Sequence, residues 1–581
     1  MSRPLSGNPS SDSAFTGGAT IWFFASNTMT SQLVSLRSLF QEAQFINCAD
    51  IPVDRVVCDS RLVRPGDVYV AVEGTQTDGH AFLEDAITAG ASAVIVQRRS
   101  AAPFAVPCAV VPSTATAYAV LSMFRDVGSI PPTIIGGVTG TNGKTTTTWI
   151  LHSILQTTGF RAGLIGTVTN SDGQISERAV MTTPPADVLS RLFRRMADIG
   201  TTHCAMEISS HALKQRRCAG LRLSAAAITN VTQDHFDYHR SVDEYRLVKS
   251  AIADLLHIDA PLLLNLDDEG CRRILQQLPK TIPVVTYGVR QPNAELSAQV
   301  ISSTHRSQRL LLQLAQGSIS VRLRLIGRHN AENCLAAAGL AEQMGVPLRD
   351  IADGIEAVTA VPGRLERIDE GQDFLVLVDY AHTPDALARC IHTVSEFAPG
   401  RVICVFGAGG ERDREKRPLM AQAAAAADLV IVTSDNPRTE SPTAIIRDIV
   451  SGFPASANVL QEPDRQAAII QAIAAAEPGD VVLIAGKGHE DQLEVGTDRI
   501  PFDDRNVARR ILGRRQSHWP HSIPHTHAHA NLLRTASVSV AHVNCTPAGS
   551  TEQRAHLTMS EPCSTNASAQ SSSGDSATRA G

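Results

Sequence analysis

Ile134-Ile135-Gly136-Gly137-Val138-Thr139-Gly140-Thr141-Asn142-Gly143-Lys144-Thr145-Thr146 decides the fold of this chain. An apolar stretch, Ile134 to Val138, reads as a strand, and the amphipathic run Thr147 to Leu155 reads as a helix. Strand, glycine-rich turn, lysine, threonine and helix together build a cradle for a triphosphate. Backbone N–H groups and a helix N-terminus face the phosphate oxygens. Lys144 reaches the outer phosphates, and the hydroxyl of Thr145 or Thr146 suits Mg²⁺. The spacing departs from the usual G-x-x-x-x-G-K-T because position 138 is Val. That argues against an ordinary nucleoside-triphosphatase motor and for a family with a tighter loop. A plain exposed turn would have no need of Lys and Thr at these two places.

Working outward, 581 residues are too many for one core, and three or four domains are the natural expectation. A hydrophobic content of 43% with 19% charged residues suits a soluble globular protein. The net charge of −6 gives no basic footprint for nucleic acid. No apolar run approaches membrane-spanning length. Ile21-Trp22-Phe23-Phe24-Ala25 is too short for a signal peptide, and only Arg3 precedes it as a positive charge. The eleven cysteines are scattered with no C-x-x-C pair. They read as reduced thiols of a cytoplasmic protein, and a structural zinc site is not expected.

Residues 1–30 are rich in Ser, Gly, Thr and Asn and read as a disordered extension. Residues 31–130 alternate short β-runs, such as Val68–Val72 and Ala93–Val96, with helical stretches. Ile130-Pro131-Pro132 reads as a linker into a central unit, 131–360, and Val361-Pro362-Gly363 marks its end. From 361 to 515, Phe374–Val378, Val402–Phe406 and Val481–Ala485 alternate with helices, which predicts parallel βαβ architecture. The tail, 516–581, has no Lys and seven His, and reads as disordered. Its alternating His525, His527 and His529 could bind a transition metal, but accident of composition is the simpler account.

Other clusters carry chemistry. Glu207, in Met206-Glu207-Ile208-Ser209-Ser210-His211, is a carboxylate where a strand emerges, suited to Mg²⁺. Thr229 to His239 is a polar loop after the apolar strand Ala225–Ile228, and its His235 reads equally as a surface histidine. Lys249, taken alone, reads as a solvated helix residue. Gly327-Arg328-His329-Asn330-Ala331-Glu332-Asn333 is a polar helix start. Further on lie Asp379-Tyr380-Ala381-His382, Gly407–Arg417, Asp435-Asn436-Pro437-Arg438 and Gly486-Lys487-Gly488-His489-Glu490.

In their order and spacing over residues 50 to 510, these motifs resemble the Mur ligases, ATP-dependent amide-forming enzymes of peptidoglycan precursor synthesis. The resemblance is strongest to the branch that adds the third peptide residue. It implies three α/β domains: an N-terminal one for the UDP end of the substrate, a central P-loop-type ATPase domain and a C-terminal Rossmann-like domain for the incoming amino acid.

Residue by residue, the resemblance assigns ATP to Gly140, Thr141, Asn142, Gly143, Lys144, Thr145 and Thr146, to His329, Asn330 and Asn333, and to Arg364 and Asp379 at the domain junction. It gives the metal Thr145, Glu207, His235 and Lys249, the last carbamylated by CO₂ to N6-carboxylysine, with Lys144, Lys249 and His235 central to catalysis. Ser60, in Asp59-Ser60-Arg61, would meet the uridine or diphosphate, although that triplet alone reads as an ordinary turn. Thr182, Thr183, Ser209, Gln215 and Arg217 would grip the muramoyl-dipeptide. Arg412, Asp435, Asn436, Pro437, Arg438, Gly486 and Glu490 would hold the amino acid. Glu411 stands where the family often has Asp.

The implied reaction joins meso-2,6-diaminopimelate to the D-glutamyl group of UDP-N-acetylmuramoyl-L-alanyl-D-glutamate through an acyl phosphate, with ATP and Mg²⁺. Arg438 speaks for diaminopimelate over lysine, because a guanidinium pairs with a distal carboxylate and repels a distal ammonium. The rivals are a lysine-adding relative, folylpolyglutamate synthase, and a non-enzymatic ATP-binding regulator. A monomer is favoured, and no base for the amine is identifiable.

Overall fold

The computed structural model describes residues 33–74, 77–99, 104–129, 131, 133–232 and 241–518. The readings of 1–30, of residues 130 and 132 in the first linker, of His235 and of the histidine tail lie outside the described residues.

Three sheets organise the chain. The first runs Gln44–Ile46, Cys108–Val110, Ala93–Val96, Val68–Val70, Val56–Val57, parallel except at the Gln44–Ile46 edge. The second has eleven strands around Ile134–Thr139, which lies between His203–Glu207 and Ala225–Ile228 and parallel to both. Its far edge is an antiparallel meander, Leu296–Ser303, Gln308–Leu314 and Gly317–Leu323. The third runs Glu366–Ile368, Leu375–Asp379, Val481–Ala485, Val402–Phe406, Leu429–Val432, Val459–Gln461, antiparallel only at Glu366–Ile368.

The central strands are nearly continuous apolar runs, which is what parallel strands covered by helices on both faces require. Leu429-Val430-Ile431-Val432 and Val481-Val482-Leu483-Ile484-Ala485 are buried along their whole length, and their β-branched residues favour the pleated geometry. The phosphate-loop helix, Lys144–Thr157, buries Ile150, Leu151, Ile154 and Leu155 in the core of the second sheet. It begins three residues before the amphipathic run that marks it in sequence, because Gly143 lets the chain turn directly into Lys144. Gly354 lets the helix Leu348–Ala357 cross close over it: a Cβ there would stand 2.3 Å from Ile154 Cα. The last helix, Asp504–His518, is fixed at its start by a fully buried pair, Asp504 with Arg465 at 2.8 Å. Among the described residues, no helix is long and apolar enough to cross a membrane, no three or more His, Cys, Asp and Glu form a metal-binding group, and every cysteine is a free thiol.

In the third domain, the fully buried guanidinium of Arg417 pairs with Glu440 at 3.0 Å and Asp448 at 2.8 Å. Glu440 also accepts the backbone N–H of Glu411, tying the 409–412 loop to the 435–440 loop. The Arg417 hydrogen bonds pull the Glu440 carboxyl from its ordinary 4.5 to about 2. A depressed carboxyl stabilises the fold above its unfolded value and loses that contribution as pH falls through its folded value. Glu440→Gln is therefore expected to destabilise the protein at pH 7 by about 3 kcal/mol, the low end for breaking a buried pair, since Asp448 stays. The gap in melting temperature between wild type and variant should close as pH falls from about 4.5 to about 2. A gap independent of pH would contradict this.

Candidate active site

The cradle lies where the first strand of the second sheet ends and the chain reverses into a helix, beyond the carboxyl ends of parallel strands. Gly143 adopts φ +87°, and a Cβ there would stand 2.2 Å from Asn333 Oδ1. Only glycine fits both the backbone and the space. Lys144 Nζ folds over the loop and donates to Gly140 O at 2.9 Å and Thr141 O at 2.8 Å. Val138, where the usual motif has Gly, is buried within the strand. The tighter loop follows from that, because the turn begins at Gly140.

Glu207 closes the strand His203–Glu207 beside the cradle and is 1% exposed. Its carboxylate accepts from Thr145 Oγ1 at 3.1 Å, Thr167 N at 2.8 Å and Thr167 Oγ1 at 2.9 Å. Arg364, from the third domain, donates to Thr145 Oγ1 at 3.0 Å. A hydroxyl and a carboxylate 3.1 Å apart at a phosphate cradle are hard oxygen donors, the set Mg²⁺ takes together with phosphate oxygens. The donor chemistry therefore fits that ion.

Lys249, at the end of the helix Val242–Ser250, is 1% exposed. The solvated reading of this lysine fails. Its Nζ lies 4.4 Å from the centre of the Tyr245 ring, and the Tyr245 hydroxyl meets Thr141 Oγ1 at 3.3 Å. The lysine is thus joined to the cradle through one aromatic residue.

His329, Asn330 and Asn333 line the same cleft from the helix Arg328–Gln343. Asn330 Nδ2 donates to Ile326 O at 2.7 Å, and Asn333 Nδ2 to Asn330 Oδ1 at 3.1 Å. Burial pulls the His329 imidazolium down to about 4, so the ring is neutral at pH 7. Asp379 accepts Leu365 N and Ala381 N, each at 2.7 Å, which fixes the third domain's first parallel strand against the cleft. The sequence reading missed Thr167, Asn230, Asp385 and Arg389. Thr167 follows an apolar strand, a signal that was available. Asp385 accepts Asn142 Nδ2 at 3.2 Å from 243 positions away, which no local pattern announces.

The grip proposed for the dipeptide is a connected cluster. Arg217 donates to Gln215 Oε1 at 2.7 and 2.9 Å and to Thr183 O at 2.8 Å. The Thr183 hydroxyl accepts Ser209 N at 2.9 Å and donates to Glu207 O at 2.9 Å. Thr182 Oγ1 lies 3.1 Å from Thr167 Oγ1, which accepts its hydrogen, since the Thr167 hydroxyl hydrogen goes to Glu207. Ser60 opens a 3-10 turn capped by Asp59 in the first domain and lines neither cleft.

A second cleft in the third domain is lined by Arg412, Asp435, Asn436, Arg438, Gly486 and Glu490. Pro437 is the exception among the residues read together: it stands behind the wall, its carbonyl accepting Glu440 N at 3.1 Å. Arg438 donates to Gly410 O at 2.7 Å and pairs with Glu494 at 3.0 Å, which uses part of a five-donor fork. Glu490 accepts Asn436 Nδ2 and the buried Lys487 Nζ, both at 3.0 Å. Burial is the largest influence on Asp435 and works against its charge, yet Lys487 and Arg465 together hold its carboxyl below the usual range.

This is an α/β protein with a phosphate-loop cleft and a second cleft, on another domain, lined by both cations and carboxylates. The chain matches the Mur ligase family catalytic domain over residues 52–120, the Mur ligase middle domain over 138–341 and the Mur ligase glutamate ligase domain over 363–488. It is 43% identical over 469 residues to the UDP-N-acetylmuramoyl-L-alanyl-D-glutamate–2,6-diaminopimelate ligase of Geobacillus thermodenitrificans, covering 79% of this chain and 94% of that protein. The protein of the same name from Gloeobacter violaceus is 40% identical over 475 residues, covering 81% and 96%. A solved structure of an enzyme of that name superposes with a TM-score of 0.60 at 31% identity, covering 83% of this chain and 99% of its own. The chain belongs to the Mur ligase family.

Proposed function

We infer that this protein is an ATP-dependent ligase that joins meso-2,6-diaminopimelate to the D-glutamyl carboxylate of UDP-N-acetylmuramoyl-L-alanyl-D-glutamate, in peptidoglycan precursor synthesis. The observation that carries this reading is the pairing of a phosphate cradle with a second cleft holding Arg412 and Arg438, in a chain about 40% identical to ligases of that name along nearly their whole length.

The γ-phosphoryl group passes to the glutamyl carboxylate, and the diaminopimelate amine attacks the acyl phosphate and expels phosphate. Lys144 and the loop N–H groups carry the charge of the transferring phosphoryl group. Arg217 binds an anionic group of the dipeptide. Arg364 reaches from the third domain to Thr145, so closing the domains completes the phosphate site and keeps water from the acyl phosphate. Thr145 and Glu207 would hold Mg²⁺, with His235 and carbamylated Lys249 as further ligands. The ion neutralises phosphate charge when bound. The first domain, with Ser60, takes the uridine end. Folylpolyglutamate synthase lacks a first domain of this kind.

Arg438 is the specificity residue for the distal carboxylate. Truncating a buried charged hydrogen-bonding partner costs about 2–5 kcal/mol. Arg438→Ala should thus raise the KM for meso-diaminopimelate on the order of 30-fold or more and leave the KM for ATP nearly unchanged. An unchanged KM for diaminopimelate would remove Arg438 from this role.

A further inference from the structure

The nucleotide cleft and the amino-acid cleft have two lining residues in common, Tyr380 and His382. An acid phosphorylated on the cradle side and an amine held in the second cleft must meet at this wall. The wall is braced from both sides. The Arg364 guanidinium lies 4.6 Å over the Tyr380 ring, and Lys416 Nζ donates to His382 O at 3.2 Å. The His382 ring meets Tyr380 edge-on at 4.6 Å.

An amino acid arrives as an ammonium, which has no lone pair to attack with, so the reaction needs a proton acceptor here. His382 Nδ1 lies 2.8 Å from Tyr380 O. A carbonyl oxygen only accepts, so Nδ1 carries a hydrogen and the lone pair of the neutral ring lies on Nε2. The carboxylates that line the second cleft already hold partners of their own. Glu490 is bound to Lys487 and Asn436, and Asp413 Oδ1 accepts Glu415 N at 2.9 Å. Asp435 is held ionised by Lys487 and Arg465 against the effect of its burial. His211 lines the second cleft but not the nucleotide cleft.

We propose that His382 is the general base of the ligation step: Nε2 takes a proton from the incoming ammonium, and the lone pair so released forms the C–N bond. The carbonyl electron pair moves onto oxygen. Its return breaks the bond from carbon to the phosphate oxygen and expels phosphate, and the second nitrogen proton leaves to solvent. This rests on the ligase reading above. Lys416 and Asp435 interact with His382 directly; the charged and titratable groups that share a cleft lining with it include His211, Arg412, Asp413 and Glu490 on one side and Asp379 and Arg364 on the other, with His489 beyond the Tyr380 ring.

Hydroxylamine separates the two claims, because it is largely unprotonated at neutral pH and needs no base. Wild type and His382→Gln, whose amide can still donate to Tyr380 O, are each given ATP, UDP-N-acetylmuramoyl-L-alanyl-D-glutamate, and either meso-diaminopimelate or hydroxylamine. General-base loss predicts a fall of about 10²–10⁴-fold in kcat for diaminopimelate. ATP-dependent hydroxamate formation by the variant should stay near the wild-type rate. The variant's residual ligation should climb with pH as free amine accumulates, with a steeper slope than wild type. Equal loss of both products, or ligation that survives, overturns the assignment of His382. Failure of the wild type to form any ATP-dependent hydroxamate would instead overturn the ligase reading.

Discussion

Lys249→Ala is expected to lower ligation by about 10²–10³-fold, the cost of removing one preorganised charge from a site of developing charge. Lys249 is 1% exposed and connects through the Tyr245 ring and hydroxyl to Thr141 of the cradle. If its working form is the carbamate, CO₂ adds to the amine with loss of a proton, and a carboxylate comes to stand beside the phosphates. Formate or acetate should then restore part of the activity to the alanine variant, since either supplies the missing anion. Methylammonium should not. Rescue by the amine would show that the cation is the working group, and normal turnover of the variant would show that the lysine is only packed.

Lys144→Ala is expected to remove acyl phosphate formation itself, with a fall in kcat on the order of 10³-fold. The ammonium bridges Gly140 O and Thr141 O and so sits on the loop that would receive the phosphates. Lys144→Arg should not rescue, because a planar fork does not replace a compact point charge in a loop this tight. Single-turnover release of ADP is the readout. Equilibrium binding of UDP-N-acetylmuramoyl-L-alanyl-D-glutamate should survive in both variants. Rapid single turnover by either would displace Lys144 from the phosphoryl-transfer step.

The sequence exposed the parts of this protein that depend on local pattern. The strands Ala93–Val96, Ala225–Ile228, Val402–Phe406 and Val481–Ala485 coincide with their apolar runs, because buried parallel strands need uninterrupted apolar side chains. The cradle was legible because its chemistry requires glycine, lysine and threonine in consecutive positions. Lys249 was not legible by itself, since burial on a helix depends on what packs over it. Asp385 was invisible for the same reason: it meets Asn142 only because two domains come together. Tyr380 and His382 stand in the motif Asp379-Tyr380-Ala381-His382, whose pattern alone gives them no role. Only the geometry puts them on the wall common to both clefts.

The most direct test of the account is phosphate release with ATP and UDP-N-acetylmuramoyl-L-alanyl-D-glutamate, comparing meso-diaminopimelate with L-lysine as the acceptor. Stoichiometric ADP, phosphate and ligated product are expected with meso-diaminopimelate, and a kcat/KM for L-lysine lower by on the order of 30-fold or more, the cost of an unanswered Arg438. Equal use of the two amino acids, or phosphate release with neither, would contradict it.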